Sequence, residues 1–341
     1  MKPIRVLVVD DSMLFRSMLS QLLEQDPMIH VVATAADPYQ ARDMIIRYDP
    51  DVMTLDVEMP RMNGIEFLRK LMPQHPIPTV MISSLNSAVF DAMAAGAVDF
   101  VDKPQNMGNN PIYNWVRNEL ITKIKIASTV KVGRYKMANE FNVNSTGRTY
   151  PNKVVAIGAS TGGTEAIYNV VKLFNVDIPG TVIVQHMPPG FTKMYADRLN
   201  NQCRVAVKEA QNGDLVERGK VLIAPGDKHM RLIRSGGTYR VECKQGERVN
   251  GHCPSVDVLF KSVASAAASD AVGVILTGMG GDGAIGLKAM RKAGAHTVGQ
   301  DEQSCVVYGM PKVAYDIGAV EYQLPLENIA SKVYNILNSM P

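Results

Sequence analysis

In the first 126 residues, the apolar residues are spaced in two ways, one typical of strands and the other typical of helices. Short runs rich in Val, Ile and Leu alternate with segments whose apolar positions recur at helical intervals. The runs predict strands at Ile4–Val9, His30–Ala33, Val52–Leu55, Thr79–Ile82 and Ala97–Val101. The segments predict helices at about 14–25, 38–48, 64–72, 87–95 and 112–126. Five strand–helix units in succession predict an open parallel sheet covered by helices on both faces.

The alternation stops after residue 126 and resumes at Lys153. Residues 127–152 are polar and basic, which is typical of a linker. Beyond them, strands are predicted at Val154–Ile157, Thr181–Gln185, Arg204–Val207, Val221–Ile223, Ala271–Leu276 and Ala319–Gln323, and helices at 164–174, 190–200, 256–268, 284–293 and 326–339. Gly236-Gly237 between two further apolar runs predicts a β-hairpin. We therefore predict an α/β chain with a five-stranded parallel domain over 1–126, a linker over 127–152, and a doubly wound, mostly parallel domain with a hairpin over 153–341.

Composition narrows the class of protein. Of the 341 residues, 46% are hydrophobic and 20% charged, which is ordinary for a globular chain. No uncharged apolar run approaches the ~18 residues of a membrane span, and the 4 cysteines are scattered without a CxxC pair. We expect a cytoplasmic protein that does not insert into a membrane. The net charge of +3 is too small to indicate nucleic-acid binding.

Five polar side chains follow predicted strands of the first domain. They are Asp10, Asp11, Asp56, Ser83 and Lys103. Because parallel strands end at one edge of a sheet, these groups should meet there. Carboxylates ~4 Å apart repel by roughly 1–4 kcal/mol, so a cluster of them favours a cation such as Mg²⁺. A metal, an ammonium, a hydroxyl and a carboxylate together suit phosphoryl transfer.

This pattern resembles the receiver domain of bacterial response regulators over residues 3–126. The resemblance implies that Asp56 accepts a phosphoryl group from a histidine kinase. It also implies Mg²⁺ ligands, which would be Asp10, Asp11, Asp56 and the backbone carbonyl of Glu58. Finally, it implies a switch group, Ser83, Phe100 and Lys103, and a cis bond before Pro104. A plain core role for Phe100 is the alternative.

A second chemical pattern opens the second domain. The strand at Val154–Ile157 runs into Gly158-Ala159-Ser160-Thr161-Gly162-Gly163 and then into a helix, which is G-x-S-x-G in the context that presents a nucleophilic serine. A phosphate-binding loop would need the same geometry. His186 is the histidine at the tip of a predicted strand, and Asp282 is the acid of a glycine-rich loop after another. We predict a Ser160–His186–Asp282 triad, with a helix cap as the alternative for Asp282.

The strings GASTGG, QHMPPG and LTGMGGDGA resemble the catalytic domain of the chemotaxis methylesterases of the CheB family. That resemblance implies hydrolysis of glutamate γ-methyl esters, and deamidation of glutamines, on methyl-accepting chemotaxis receptors. It implies oxyanion support from Thr161 and Met279, and no cofactor in this domain. The resemblance implies Arg in many relatives at the position of Cys253, a departure that concerns a secondary substrate contact and not the triad.

Two other functions compete with this interpretation. A transcriptional response regulator would join a receiver to a DNA-binding domain of ~100 residues, whereas residues 151–341 form repeated strand–helix units without a basic recognition helix. A general esterase or peptidase would carry its triad in another chain order. We therefore predict a receptor methylesterase that is activated by phosphorylation and binds neither nucleic acid nor membrane.

Overall fold

A computed structural model describes residues 2–83, 88–104, 109–130, 132 and 148–341. The chain divides into two compact units, Met1–Tyr135 and Lys136–Pro341. Most of the predicted linker falls outside the described residues, so the predicted domain and linker boundaries stay a prediction. Within the described ranges, no helix is both long and apolar enough to cross a membrane.

The first unit is a five-stranded parallel sheet between helices. Its strand order is β2-β1-β3-β4-β5. The strands are β1 (Ile4–Val9), β2 (Ile29–Ala35), β3 (Val52–Asp56), β4 (Thr79–Ser83) and β5 (Asp99–Asp102). The helices are α1 (Met13–Leu23), α2 (Pro38–Tyr48), α3 (Gly64–Leu71), α4 (Ala88–Ala94), α5 (Asn109–Trp115) and α6 (Ile121–Ala127), with a π-helical turn at Val116–Leu120 joining the last two. The five-stranded parallel sheet predicted from the strand–helix alternation is confirmed, and its strand order is that of the flavodoxin-like fold.

The order of the strands determines which polar groups of this unit lie next to one another. The central strands β1 and β3 pair directly, and β3 pairs with β4. Asp10 therefore follows one central strand and Asp56 ends its neighbour. The expected cis bond before Pro104 is wrong: among the described residues, Cys253–Pro254 is the cis peptide bond. Trans is the ordinary state of an X–Pro bond.

The second unit is built on seven parallel strands in the order β14-β13-β12-β6-β7-β9-β8. They are β6 (Val154–Ala159), β7 (Gly180–Gln185), β8 (Ala206–Glu209), β9 (Lys220–Ile223), β12 (Ala271–Ile275), β13 (His296–Gln300) and β14 (Tyr322–Leu324). The hairpin, β10 (His229–Ser235) and β11 (Thr238–Lys244), forms its own antiparallel sheet. The helices are α7 (Gly163–Val171), α8 (Phe191–Gln202), α9 (Val256–Ala266), α10 (Ala284–Lys292), α11 (Met310–Asp316) and α12 (Leu326–Ser339). The doubly wound α/β fold with a hairpin is confirmed.

Two elements of this unit were not predicted. Strand β13 reads His-Thr-Val-Gly-Gln, which lacks a run of apolar residues. Residues 297–300 are nevertheless buried, because β13 lies between β12 and β14. Gly299 also lets Val320 approach to 2.9 Å of where a β-carbon would stand. Helix α11 has only 7 residues and carries Pro311 in its first turn. Proline is tolerated there because first-turn N–H groups have no helical partner.

Candidate phosphorylation and catalytic sites

Three carboxylates meet at the carboxyl edge of the first sheet. Oxygens of Asp10, Asp11 and Asp56 lie within 4.8 Å of one another. Asp10 and Asp56 are buried, whereas Asp11 is exposed. This set of hard oxygen donors with one side open to solvent fits Mg²⁺, which keeps several waters when bound.

Lys103 joins two of these carboxylates. Its Nζ donates to Asp10 Oδ2 at 2.8 Å and to Asp56 Oδ2 at 2.9 Å. Burial raises the pKa of Asp56 to about 6; the Lys103 ammonium opposes that rise and the Asp10 carboxylate adds to it. The ammonium also lies 4.5 Å from the centre of the Phe15 ring, which packs on Trp115. The position of Lys103 is therefore fixed by two charges and an aromatic face.

The other predicted receiver residues lie around this cluster. Ser83 ends β4 and is buried, and its carbonyl accepts from Lys103 N at 2.7 Å. The Glu58 N–H donates to Asp56 Oδ1 at 3.3 Å, which places Glu58 beside the candidate acceptor. Phe100 is 5% exposed and packs edge-on to Phe90, with ring centres 6.2 Å apart. This packing suits a core residue, and a switching role for Phe100 stays a prediction.

The serine of the second unit lies where β6 turns into α7. Ala159 is in register with Gln185, so Ser160 and His186 come next on two neighbouring strands. The Gln185 amide joins them, because its Nε2 donates to the carbonyls of Ser160 at 2.9 Å and His186 at 3.2 Å. Gly162 adopts φ +74°, a left-handed conformation that suits glycine, at the start of the helix. The turn therefore presents Ser160 at the carboxyl edge of the central strand.

His186 and Asp282 form the predicted pair. His186 Nε2 lies 2.8 Å from Asp282 Oδ2, and both side chains are almost fully buried. Although burial opposes it, the hydrogen bond and charge of His186, together with donors from Asn250 and Ser255, hold the Asp282 pKa well below its usual range. Since an ionised carboxylate only accepts, Nε2 carries the proton and Nδ1 of a neutral ring offers its lone pair.

Besides His186, the groups that donate hydrogen bonds to Asp282 all come from residues 250–257. Oδ1 accepts from Asn250 Nδ2 (2.8 Å), Ser255 Oγ (2.8 Å) and Asp257 N (3.2 Å), and Oδ2 accepts from Val256 N (2.7 Å). Val256 and Asp257 open α9, so Asp282 lies at the positive end of that helix. The alternative role of Asp282 as the N-cap of α10 is wrong, because Gly283 is that N-cap and Asp282 instead accepts from the first two N–H groups of α9. It is Asp257 that reaches α10, where its Oδ1 accepts from Gly286 N at 2.7 Å.

The contact between Ser160 and His186 is not made in this structure. His186 Nδ1 is buried and has no hydrogen-bond partner among the described residues. The Ser160 hydroxyl lies on the adjacent strand end and does not donate to it. The structure thus brings the three predicted residues to one edge, with the histidine–aspartate half of a triad formed and the serine–histidine half open.

The two predicted oxyanion groups flank the serine. Thr161 is buried, and its carbonyl accepts from Thr277 Oγ1 at 3.0 Å. Met279 is half exposed in the loop after β12. Gly278 lets that loop approach closely, because a β-carbon there would stand 2.7 Å from Ser160 Cβ. The Met279 N–H donates to no other described residue, and its part in oxyanion binding stays a prediction.

Sequence reasoning missed four residues of this site. Gln185 joins the two strand ends, and Asn250 and Ser255 donate to Asp282. The fourth is His252, whose ring stacks on His186 with centres 3.7 Å apart and planes 12° apart. The Asn250-Gly251 pair was a usable signal, since Asn-Gly between paired residues indicates a tight turn. Cys253 is a free, half-buried cysteine with no hydrogen bond to the predicted triad among the described residues.

Comparisons with known proteins agree with both sites. Residues 6–109 match the response regulator receiver domain, and residues 155–333 match the family described as CheB methylesterase. A protein-glutamate methylesterase/protein-glutamine glutaminase of Syntrophomonas wolfei is 61% identical over 100% of this chain and 99% of its own. One of Salmonella typhi is 47% identical over 98% and 97%. The crystal structure of the Thermotoga maritima CheB methylesterase catalytic domain matches with TM-score 0.52 and 37% identity, over 55% of this chain and 97% of that one. These matches leave no place for a DNA-binding output domain in residues 155–333, and the chain belongs to the CheB methylesterase family, with a response regulator receiver domain before the catalytic part.

Proposed function

We propose that this protein hydrolyses glutamate γ-methyl esters on methyl-accepting chemotaxis receptors, deamidates selected glutamines there, and is activated by phosphorylation of Asp56. The pairing of His186 with Asp282 at 2.8 Å, beside the Ser160 turn, is the observation that carries this proposal. The names of the relatives supply the substrate class. The cytoplasm, where the receptor helices carry these glutamates, is the proposed location.

The proposed reaction begins at Ser160. Its Oγ attacks the ester carbonyl while the hydroxyl proton passes to His186 Nδ1. Asp282 holds Nε2–H and stabilises the imidazolium that forms. The N–H groups of Met279 and Thr161 stabilise the oxyanion, and one such donor is worth roughly 2.7–4 kcal/mol in known hydrolases.

Collapse of the oxyanion expels the methoxy group, which takes the proton from Nδ1 and leaves as methanol. Water then attacks the acyl-enzyme with the same histidine as base, which frees the glutamate carboxylate and restores Ser160. With a glutamine side chain, the group that leaves is ammonia. The same groups thus serve ester and amide.

Replacement of the nucleophile tests the hydrolytic half. Ser160→Ala should abolish nearly all methanol release from methylated receptor membranes, because it removes the hydroxyl that would form the acyl-enzyme. Ser265→Ala is the matched control, since Ser265 is exposed on α9 and should keep full activity. Substantial methanol release by the Ser160→Ala protein would show that Ser160 is not the nucleophile.

Phosphorylation would act through the carboxylate edge of the receiver. An oxygen of the Asp56 carboxylate attacks the phosphorus of the phosphohistidine on the kinase. The phosphorus–nitrogen bond breaks, the kinase imidazole leaves, and Asp56 carries the phosphoryl group. Asp10, Asp11, Asp56 and the Glu58 carbonyl would hold Mg²⁺, which when bound would neutralise charge on the phosphoryl oxygens. Lys103 and Ser83 then hold those oxygens, and Phe100 responds to the change at Ser83.

We propose that the unphosphorylated receiver restrains the catalytic domain. A tenfold shift between restrained and active states needs ~1.4 kcal/mol of difference in their interaction with the phosphoryl group. Asp56→Asn should retain basal methanol release but lose stimulation by a small phosphodonor, whereas Asp43→Asn, on the exposed face of α2, should respond like wild type.

A fragment that starts at Pro151, and is folded by circular dichroism, should release methanol faster than the unphosphorylated full chain. Its rate should not respond to phosphodonor. A folded fragment no faster than the full chain would refute the restraint.

A further inference from the structure

One tight turn presents both Asn250 and His252 to the His186–Asp282 pair. Val249 and His252 exchange two backbone hydrogen bonds, each 3.0 Å long. Asn250 and Gly251 between them adopt φ +54° and +84°, which is the requirement of a type I′ turn. Few other residue pairs meet it, so this turn has one preferred shape.

The turn is anchored on the side that faces the catalytic aspartate. Asn250 Nδ2 donates to Asp257 Oδ2 at 3.0 Å and to Asp282 Oδ1 at 2.8 Å, so one amide joins two buried carboxylates. Two residues later, His252 stacks on His186. The aspartate and the histidine of the pair are therefore each contacted from the same turn.

The stacked His252 ring is half buried, and its titration is influenced by His186, Asp282 and Arg248. Burial lowers the pKa of His252 to about 4; the neighbouring His186 and Arg248 add to that lowering and Asp282 opposes it. His252 is thus neutral at neutral pH and presents an uncharged aromatic face to His186. A flat ring stacked 3.7 Å away blocks the His186 ring from tilting out of its plane, whereas a tetrahedral side chain would not match that face.

We propose that His252 is a positioning residue that holds the His186 ring in line between Ser160 and Asp282. The expected change in kcat rests on the proposed esterase function, whereas the expected change in the orientation of the His186 ring does not. Without the stacked face, the His186 ring should tilt so that Nε2 no longer points at Asp282. This misalignment should lower kcat. Receptor binding does not depend on it, so KM should stay nearly unchanged.

Two substitutions of the full-length protein separate stacking from other roles. His252→Phe keeps a flat ring and should stay within threefold of the wild-type kcat for methanol release. His252→Leu keeps similar bulk without a flat face and should lose about tenfold in kcat, with KM changed less than twofold. Rescue by Phe is the result that a merely structural filling role would not give, because Leu fills the site as well.

A second measurement is independent of the substrate. Proton NMR of wild type should show a strongly downfield signal from His186 Nε2–H, which His186→Gln removes. The His252→Phe protein should keep that signal at neutral pH, and the His252→Leu protein should lose or broaden it through exchange with water. If wild type releases no methanol, the proposed function fails while this signal still decides the role of His252. Equal kcat in the Leu variant and wild type, equal losses in both variants, or an unchanged signal in the Leu variant would overturn the proposal.

Discussion

Asp282→Asn should separate the charge of the buried carboxylate from its shape. The two oxygens of Asp282 accept five hydrogen bonds, from His186, Asn250, Ser255 and two backbone N–H groups. An asparagine offers one oxygen and one NH₂ group in the same volume. Whichever way it turns, its NH₂ group faces donors.

The two orientations differ in how many donors they leave unpaired. With NH₂ on the Oδ1 side, Asn250 Nδ2 and Asp257 N lose their acceptor, and only the Ser255 hydroxyl can turn to accept. With NH₂ on the Oδ2 side, only the N–H of Val256 is left unpaired, because His186 Nε2 can accept if its proton moves to Nδ1. Each buried donor left without an acceptor costs roughly 1–3 kcal/mol of folding free energy. The second orientation leaves fewer such donors and is therefore favoured.

That orientation gives His186 the wrong tautomer. With a proton on Nδ1, the ring cannot take one from Ser160. The same change of tautomer lowers kcat by about 10⁴ in serine proteases, which corresponds to ~5.5 kcal/mol in the barrier. We therefore expect methanol release to fall by about 10³ to 10⁴, with a loss of roughly 1–3 kcal/mol in the free energy of unfolding.

Asp257→Asn is the matched control. Asp257 is equally buried and caps α10 through Gly286 N, and its other oxygen accepts from Asn250. Its replacement should also orphan one buried donor and cost a similar free energy of unfolding, measured in urea, but should lose less than tenfold in methanol release. The tautomer argument is refuted if the Asp282→Asn protein keeps more than a tenth of wild-type activity, or if the Asp257→Asn protein loses as much activity as the Asp282→Asn protein.

Two further predictions concern the metal and the glycine loop. Because burial raises the pKa of Asp56 to about 6 and a metal needs the ionised carboxylate, Mg²⁺ affinity by calorimetry should fall about tenfold from pH 7.5 to 5. Without Mg²⁺ the sign reverses: stability from this raised pKa is fully present below 3.8 and is lost as pH rises through about 6. Asp56→Asn should remove both trends, and an unchanged pH dependence would contradict the assignment. Gly278→Ala puts a β-carbon 2.4 Å from Met310 Sδ and 2.7 Å from Ser160 Cβ, so it should lower both the thermal midpoint and methanol release, and wild-type values for both would show that the loop tolerates displacement.

The strands and the charged groups that follow them could be predicted, because both depend on short-range order. Val52–Leu55 is apolar and ends at an aspartate, and Ala271–Leu276 leads into the loop that holds Asp282. Once a parallel sheet is inferred, its edge collects such groups whatever the details of packing. The His186–Asp282 contact could be predicted on that basis alone.

Other features depend on contacts between distant segments. Strand β13 has little apolar character of its own and is buried by its neighbours β12 and β14. The donors to Asp282 other than His186 lie 25 to 32 residues away in the chain, and their convergence follows from the way α9 and α10 pack. The stacking of His252 on His186 needs the Asn250-Gly251 turn and the packing of that turn at once, so neither residue alone indicates it.

The placement of Trp115 has an optical consequence. It is the chain's one tryptophan, and it packs on Phe15, whose ring carries the Lys103 ammonium. At wavelengths longer than those that tyrosine absorbs, only the receiver therefore absorbs and fluoresces, and the catalytic unit does not contribute to the signal. Events at Asp56 can be timed by intrinsic emission in the intact, unlabelled protein while methanol accumulates in the same cuvette, so the delay between the two processes becomes directly measurable.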